Sequence, residues 1–339
     1  MSITTKTTRL TAAAICAFLL VISQQALDAQ VSVQITNNVG NAELRTEMET
    51  NASLLLSAFN RAVTENKKPK LPDKSLTPEA KKKVEAIWKT SKMSCIAADV
   101  RTISRTASSG EQQIRNIPML ILEAGADGRN ENIAFNFDER GMISDVVISL
   151  KTDVEVIVAQ TVKNEKTPSE DVASINKILD FVEKFRTAYN CKDINFLQNI
   201  YSDNALIINV VKKSVRQVSN TDQMLKGIKI DDKGYDFQVK TKQRYLADLD
   251  KVFKKNAFVN IAFDSIDVKI HPGISKLYGV TLYQTWRSST YNDKGFLYLM
   301  IDCHKEYEMQ IFVRAFSEDK IFDFGSFSDI RRFSDNFNN

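Results

Sequence analysis

The feature that most constrains the fold of this 339-residue chain is an order of elements that occurs twice. In each half, segments with helical periodicity come first and a run of strand-like segments follows. A polar stretch at 163–168 separates the two halves. Helices followed by closely joined strands are typical of α+β domains with antiparallel sheets. We therefore predict two tandem α+β domains, 30–162 and 168–320, each with helices packed on a curved antiparallel sheet, and a C-terminal tail at 321–339.

The first half should begin with a helix, because apolar residues recur at three- and four-residue steps from Leu44 to Val63. Thr77 and Pro78 provide an N-cap and a first helical residue for a second helix, which should end near residue 89. Proline donates no backbone hydrogen bond, so Pro118 either argues against a strand at 114–122 or places that strand at an edge. Four strands are expected, at 95–104, 114–122, 133–137 and 142–150, with a hairpin turn at 138–141 between the last two.

The second half opens with a capping box at 167–170, followed by a helix whose buried face runs from Ile175 to Tyr189. A long antiparallel sheet twists and curves, so helices packed across its concave side would make a cone with a pocket at the open end. The elements expected after the first helix are a short helix at 194–201, a strand at 205–211, a polar excursion at 212–239, a helix at 242–254, and strands at 258–269, 277–289, 295–304 and 309–316.

The first 29 residues are typical of a secretory signal peptide. Lys6 and Arg9 precede an apolar run from Leu10 to Ile22, and small residues lead to a cleavage site after Ala29. The run is shorter than the roughly 20 residues that a membrane-spanning helix needs, and no later stretch approaches that length. We expect export to remove residues 1–29 and to leave a soluble protein in the periplasm or outside the cell, without a membrane span.

Charge and cysteine content exclude several classes of protein. The net charge is +4, from 46 basic and 42 acidic residues, which is too even a balance to indicate a nucleic-acid partner. Cys191 and Cys303 lie in the same half and could pair in an oxidising compartment, although burial as small apolar residues is the simpler interpretation. The chain has no phosphate-binding loop and no metal-ligand pattern, so we expect neither a cofactor nor a metal.

Three segments of the second half carry a family resemblance. They read ILDFVEKFRTAYNCKDINFLQNIYSDNALII at 178–208, HPGISKLYGVTLYQTWRSSTYNDKGFLYLMID at 271–302 and QIFVRAF at 310–316. Together they resemble nuclear transport factor 2-like domains, also called SnoaL-like, of exported proteins from Gram-negative bacteria. The resemblance covers roughly 171–316 and implies a cone-shaped α+β fold. It implies no activity, because isomerases, dehydratases, binding modules and dimerisation domains share this fold. We interpret the first half as a divergent copy.

Strand alternation suggests a set of pocket residues. Gln284 and Trp286 share the more apolar parity of their strand, and Arg314 shares a parity with Phe312. If these faces coincide with that of Asp302, six side chains would converge between the sheet and the helices: Tyr189, Tyr245, Gln284, Trp286, Asp302 and Arg314. Such a pocket would have aromatic walls and an acid, a guanidinium and an amide to orient a ligand. The alternative is an Asp302–Arg314 ion pair and a hydrogen-bonded Gln284 in an ordinary core.

Three hypotheses for the function follow. The leading one is an exported, non-catalytic protein that binds a small molecule or an envelope protein through the pocket or a sheet face. The second is a cofactor-free lyase or isomerase with Asp302 or Asp203 as the base, since Asp203, Asp302 and His304 are the available proton carriers. The third is a homodimeric structural module whose sheets pair back to back.

Overall fold

The computed structural model describes residues 30–37, 39–124, 127–150, 169–212, 234–305 and 308–327. The predicted signal peptide, the polar boundary at 163–168 and most of the predicted excursion lie outside the described residues. The chain divides into two compact units between Val146 and Val147, and Glu123–Ala126 belongs to the second unit. This division comes earlier in the chain than the boundary predicted from composition.

The first unit contains the two predicted helices, α1 (Ala42–Thr64) and α2 (Pro78–Thr90), and Thr77 caps α2 as expected. Its strands are β1 (Ser32–Ile35), β2 (Ser91–Cys95), β3 (Asp99–Thr102), β4 (Ser104–Thr106), β5 (Gln112–Glu123), β6 (Arg129–Phe137) and β7 (Ile143–Ile148). The main sheet has the order β2-β5-β6-β7 with β4 also paired to β5, and β1 pairs with β3 in a separate parallel pair. The single strand expected at 95–104 is therefore wrong, because this stretch divides among three short strands.

Pro118 does not lie on an edge strand, so that expectation is also wrong. It occupies β5, which has β2 on one side and β6 on the other. The strand accommodates the proline next to an irregularity between Ile114 and Ile117, where Asn116 has a φ of 59°. The carbonyl of Pro118 still accepts a hydrogen bond from Ile96 N (3.1 Å).

Side chains of helix α1 accept the backbone hydrogen bonds along one edge of strand β1. The backbone N–H groups of Val31, Val33 and Ile35 donate to three α1 side chains, Ser57 (2.9 Å), Ser53 (2.9 Å) and Glu49 (2.7 Å). The donors are two residues apart in the strand and the acceptors four residues apart in the helix. These two spacings match, because two strand residues advance about 6.6 Å and four helical residues about 6 Å. The opposite edge of β1 pairs with β3, so both edges of this short strand are covered.

The second unit is a six-stranded sheet packed against helices on one side. Its helices are α3 (Ser169–Asn190), α4 (Ile194–Ile200) and α5 (Lys242–Lys255). Its strands are β8 (Tyr201–Lys212), β9 (Tyr235–Lys240), β10 (Val259–Ile270), β11 (Leu277–Ser288), β12 (Asn292–Lys305) and β13 (Glu308–Ser317). The order is β10-β11-β12-β13-β8-β9, and neighbours are antiparallel except for β13 and β8. The predicted α+β class is confirmed. Among the described helices, none is both long and apolar enough to cross a membrane.

The two sides of this sheet have different cores. The helix-facing side packs side chains such as Val280, Leu282 and Leu299 against α3, α4 and α5. On the outer side, Phe322 and Phe327, which follow β13, pack on side chains of the sheet. The sheet residues of this cluster are Leu206, Ile208, Val210, Phe237, Leu277, Tyr298, Met300, Phe312, Val313 and Ala315. The expected tail at 321–339 is thus packed in its described part, which includes a 3₁₀ turn at Phe324–Ser326.

Candidate functional site

Three tyrosines from three different elements meet on the helix-facing side of the second unit. Tyr189 belongs to α3, Tyr201 begins β8 and Tyr245 lies on α5, and all three are buried. The hydroxyl of Tyr189 lies 2.5 Å from that of Tyr245 and 3.2 Å from that of Tyr201. Tyr189 is therefore the centre of a chain of three phenols, which we call the tyrosine cluster.

Arg314 of β13 reaches this cluster from the sheet. Its Cζ atom lies 5.0 Å from the centroid of the Tyr245 ring, and its Nη1 donates to Asn209 Oδ1 at 3.2 Å. The residue is only 5% exposed, and its Nε has no hydrogen-bond partner among the described residues. The strand register explains the approach, because Arg314 pairs with Leu299 of β12 and Ile207 of β8, both of which face the helices.

Burial and hydrogen bonding set the protonation states in the cluster. Burial raises the pKa of Tyr189 and of Tyr201 well above the ordinary tyrosine value, so both phenols are neutral at physiological pH. Burial disfavours the charge of Arg314, but the oxygens of Tyr245, Tyr189 and Tyr201 outweigh it and hold the pKa of the guanidinium above its usual value. The site therefore combines a persistent cation with neutral hydroxyl groups.

Trp286 and Gln284 extend the same side of the sheet along β11. The ring of Trp286 meets the ring of Tyr189 edge to face, with centroids 6.0 Å apart. Gln284 is 3% exposed and pairs across the sheet with Phe263 and Gly295. Its Oε1 has no hydrogen-bond partner within the described ranges. The alternative of a hydrogen-bonded Gln284 in an ordinary core therefore does not account for this one acceptor atom.

Asp302 does not belong to this group. It pairs with Leu277, whose side chain lies on the outer side, whereas Gln284 and Arg314 face the helices. The predicted convergence fails at Asp302 because the register of β12 on β11 places it opposite Leu277 and not on the side of Gln284. In β13, Met300 pairs with Val313 and Ile301 with Ile311, so a bulge leaves Phe312 as the extra residue and puts it on the side opposite to Arg314. Five of the six predicted residues share the helix-facing side, and the Asp302–Arg314 ion pair considered as the alternative is wrong.

The candidate proton carriers lie apart from the tyrosine cluster. Asp302 contacts the Nδ1 atom of His304 at the end of β12. Asp203 has a side chain that is 89% exposed, and the hydrogen bond and charge of Lys242 lower the pKa of its carboxyl group. Among the described residues, no three His, Cys, Asp or Glu side chains are placed to hold a metal ion.

The three cysteines in the described part of the chain are thiols. Cys95, Cys191 and Cys303 form no disulfide, so the pairing of Cys191 with Cys303 is not observed. Burial, and then the nearby charge of Asp302, raises the pKa of Cys303 to about 12. A thiol with that pKa is a poor nucleophile at neutral pH.

Sequence reasoning missed two residues of the site, Tyr201 and Asn209. Tyr201 is the first residue of β8, four residues before the predicted start of that strand. Asn209 shares strand parity with Ile207, which faces the helices, so alternation along a correctly bounded β8 would have placed it there. Neither position could be linked to Arg314 before the pairing of β8 with β13 was known.

No known protein family matches the chain, and no curated protein matches it at a significant level. Solved structures with a similar arrangement include a protein of the NTF2-like family from Streptomyces avermitilis, at 10% identity and a TM-score of 0.28 over 51% of this chain and 98% of that one. A protein with a cystatin-like fold from Nostoc punctiforme shows 9% identity and a TM-score of 0.27, over 42% and 90% of the two chains. A point mutant of the helical cell shape determining protein Pgp2 of Campylobacter jejuni shows 13% identity and a TM-score of 0.30, over 63% and 89%.

Proposed function

We propose that the second unit is a non-catalytic binding module for a small molecule, which it holds between the tyrosine cluster, Trp286 and Gln284. The observation that carries this proposal is the Oε1 atom of Gln284, a buried acceptor without a hydrogen-bond partner among the described residues. Buried polar atoms in folded proteins are nearly always paired, because an unpaired one costs about 1–3 kcal/mol. A ligand that donates a hydrogen bond to Gln284 and packs its apolar body on the aromatic rings would offset that cost.

Acid–base catalysis has less support. A lyase or isomerase would need a base beside the bound substrate, and both named candidates lie elsewhere: Asp302 is on the outer side of the sheet and Asp203 is exposed beside Lys242. Back-to-back pairing of sheets in a homodimer has less support too. Phe322 and Phe327 of the same chain already cover part of the outer side.

The proposal also covers where the protein acts. We propose that residues 1–29 direct export, that the protein acts in the periplasm or outside the cell, and that an envelope protein is the alternative partner. The order of a long helix, a short helix and a strand in the second unit supports its placement among nuclear transport factor 2-like domains. Sequencing the N-terminus of the protein isolated from its own source should give Gln30, and a chain that begins at Met1 would contradict export.

Ligand binding is testable through Trp286. The chain has two tryptophans, so W88F leaves Trp286 as the only one. Native mass spectrometry should first show whether a small molecule co-purifies. Benzamide, which has an apolar ring and amide N–H donors, should then change the emission of Trp286 in a saturable way.

A matched pair of variants separates a binding role from a core role. Gln284→Leu should weaken benzamide binding while raising the ligand-free unfolding free energy by up to about 1 kcal/mol, because it removes an unpaired buried polar group. Gln198→Leu, at an exposed position of α4, should leave binding unchanged. If no ligand co-purifies, benzamide does not bind and Gln284→Leu destabilises the protein, the binding proposal is wrong.

A further inference from the structure

We infer that the tyrosine cluster and Arg314 bind the carboxylate of a small organic acid, with Arg314 as its counter-ion. This inference rests on the proposed binding function and specifies the chemical class of the ligand. Arg314, one of the six pocket residues predicted from the sequence, carries the inference.

Arg314 is a buried cation without an anionic partner among the described residues. It is 5% exposed, and its contacts are with neutral groups: the ring of Tyr245, the amide of Asn209 and the hydroxyl of Tyr189. Buried charges in folded proteins are normally paired, because removal from water disfavours an isolated ion. An arginine that the fold buries with only neutral contacts is what a binding site for an anion requires.

The geometry leaves one edge of the guanidinium free to bind a ligand. Tyr245 covers its face, and Asn209 accepts from Nη1. The Nε–H points along a different edge in the plane of the group and has no partner among the described residues. Carboxylates bind guanidinium groups in this plane, through the edges and not the faces. Stacking on Tyr245 therefore holds Arg314 in place without blocking a carboxylate.

The tyrosine cluster can add a second donor. Each phenol carries one O–H proton, so Tyr189, Tyr201 and Tyr245 hold three in all. The two contacts among their hydroxyls use at most two of these protons. At least one O–H remains for another acceptor, and a carboxylate oxygen is a stronger acceptor than a phenol.

Gln284 lies where it would accept a hydrogen bond from the other end of the ligand. Gln284 and Arg314 face the same side of the sheet, on β11 and β13, with β12 between them. Trp286 lies next to Tyr189 on the same side. The arrangement suits an acid with an apolar body and a hydroxyl or amine group that donates to Gln284.

The test compares two probes of the same shape, benzoate and its neutral counterpart benzamide, by isothermal titration calorimetry at neutral pH. Wild-type protein should bind benzoate at least about tenfold more tightly than benzamide. Arg314→Met should remove this preference, so that the two dissociation constants agree within about twofold. Arg244→Met removes an exposed arginine of the same unit and should retain the preference.

The melting temperature of the ligand-free protein distinguishes a ligand-binding role of Arg314 from a structural one. If Arg314 serves the ligand, the ligand-free Arg314→Met protein should melt at the same temperature as wild type or above it, because it no longer buries an unpaired cation. A lower melting temperature would assign Arg314 to the fold and overturn the inference.

The binding results also distinguish this inference from the proposed function. Equal affinity for benzoate and benzamide in the wild type would overturn the carboxylate site and leave the binding function standing. Failure of both probes to bind would overturn the carboxylate site. The binding function is wrong as well if, in addition, no ligand co-purifies and Gln284→Leu destabilises the protein.

Discussion

The guanidinium of Arg314 lies over the ring of Tyr245, with 5.0 Å between Cζ and the ring centroid. A strand and a helix thus place a cation against an aromatic face inside the second unit, where burial strengthens such a contact. The contact joins the sheet to α5, and the hydroxyl of the same tyrosine joins α5 to α3 through Tyr189. The candidate site is therefore built from the sheet and from two helices of the second unit.

The central position of Tyr189 in the tyrosine cluster predicts unequal effects of removing hydroxyl groups. Tyr189→Phe leaves two buried phenols without the group that joins them, whereas Tyr201→Phe removes one contact. We expect urea denaturation to show losses of about 2 kcal/mol for Tyr189→Phe and about 1 kcal/mol for Tyr201→Phe. Tyr283→Phe, at a half-buried position outside the cluster, is the control. Equal losses at Tyr189 and Tyr201 would show that Tyr189 is not the centre of the network.

The raised pKa values of Tyr189 and Tyr201, caused mainly by burial, predict instability in alkali. The phenols ionise in the unfolded chain near the ordinary tyrosine pKa of 10.0 and only at higher pH in the folded protein. Their contribution is fully present below pH 10 and is lost as the pH rises above it. Melting temperature should fall in that range, and it should fall less steeply for Tyr201→Phe. Phenolate absorbance of Tyr189 that developed without unfolding would contradict the prediction.

Gly279 predicts a steric limit on the outer side of the sheet. A Cβ atom at this position would lie 2.7 Å from Tyr298 Oη and 2.9 Å from Phe324 Cζ. Gly279→Ala should therefore cost about 1–3 kcal/mol of unfolding free energy, because Phe324 must move away from the sheet. Gly273→Ala is the matched control, since its nearest neighbour would be His271 Cε1 at 3.9 Å. Equal stability of the two variants would show that the residues after β13 do not pack tightly on this side.

The pairing of α1 with β1 predicts a stabilising role for a serine in the first unit. Ser53 accepts from the backbone N–H of Val33, a residue that is 4% exposed. Ser53→Ala should lower the unfolding free energy by about 1–2 kcal/mol, because it leaves a buried donor unpaired. Ser109→Ala, in an exposed turn, should change it by less than about 0.5 kcal/mol. An unchanged Ser53→Ala protein would mean that β1 does not depend on the helix for its free edge.

Local patterns predicted most elements of the second unit within a few residues. The helix expected from 242 to 254 is observed at Lys242–Lys255, and the strand expected at 277–289 is observed at Leu277–Ser288. These patterns succeed because helical and strand periodicity depend on neighbouring residues of the same segment. In the first unit the same reasoning missed β1 and joined three short strands into one, because strands of three to five residues carry few alternations to read.

There is a physical reason why only part of the candidate site could be predicted from the sequence. Alternation assigned Arg314 and Phe312 to one face, but the bulge at Phe312 turns them to opposite sides of the sheet. A bulge adds one residue to one strand and so reverses the parity of everything beyond it. Asp302 faces away for a separate reason, because the register of β12 on β11 pairs it with Leu277. Asn209 and Tyr201 join the site through the parallel pairing of β13 with β8.

Three properties follow from the amino-acid sequence alone: the α+β class, the order of the helices and strands, and the presence of tyrosines, an arginine and a glutamine in the second half. Each of these depends on local propensity or composition, which a linear chain carries without reference to its fold. The fold, by contrast, brings Arg314 together with the three tyrosines of the cluster and turns Asp302 away from them. That outcome depends on strand register, and register depends on contacts between residues that are distant in the chain.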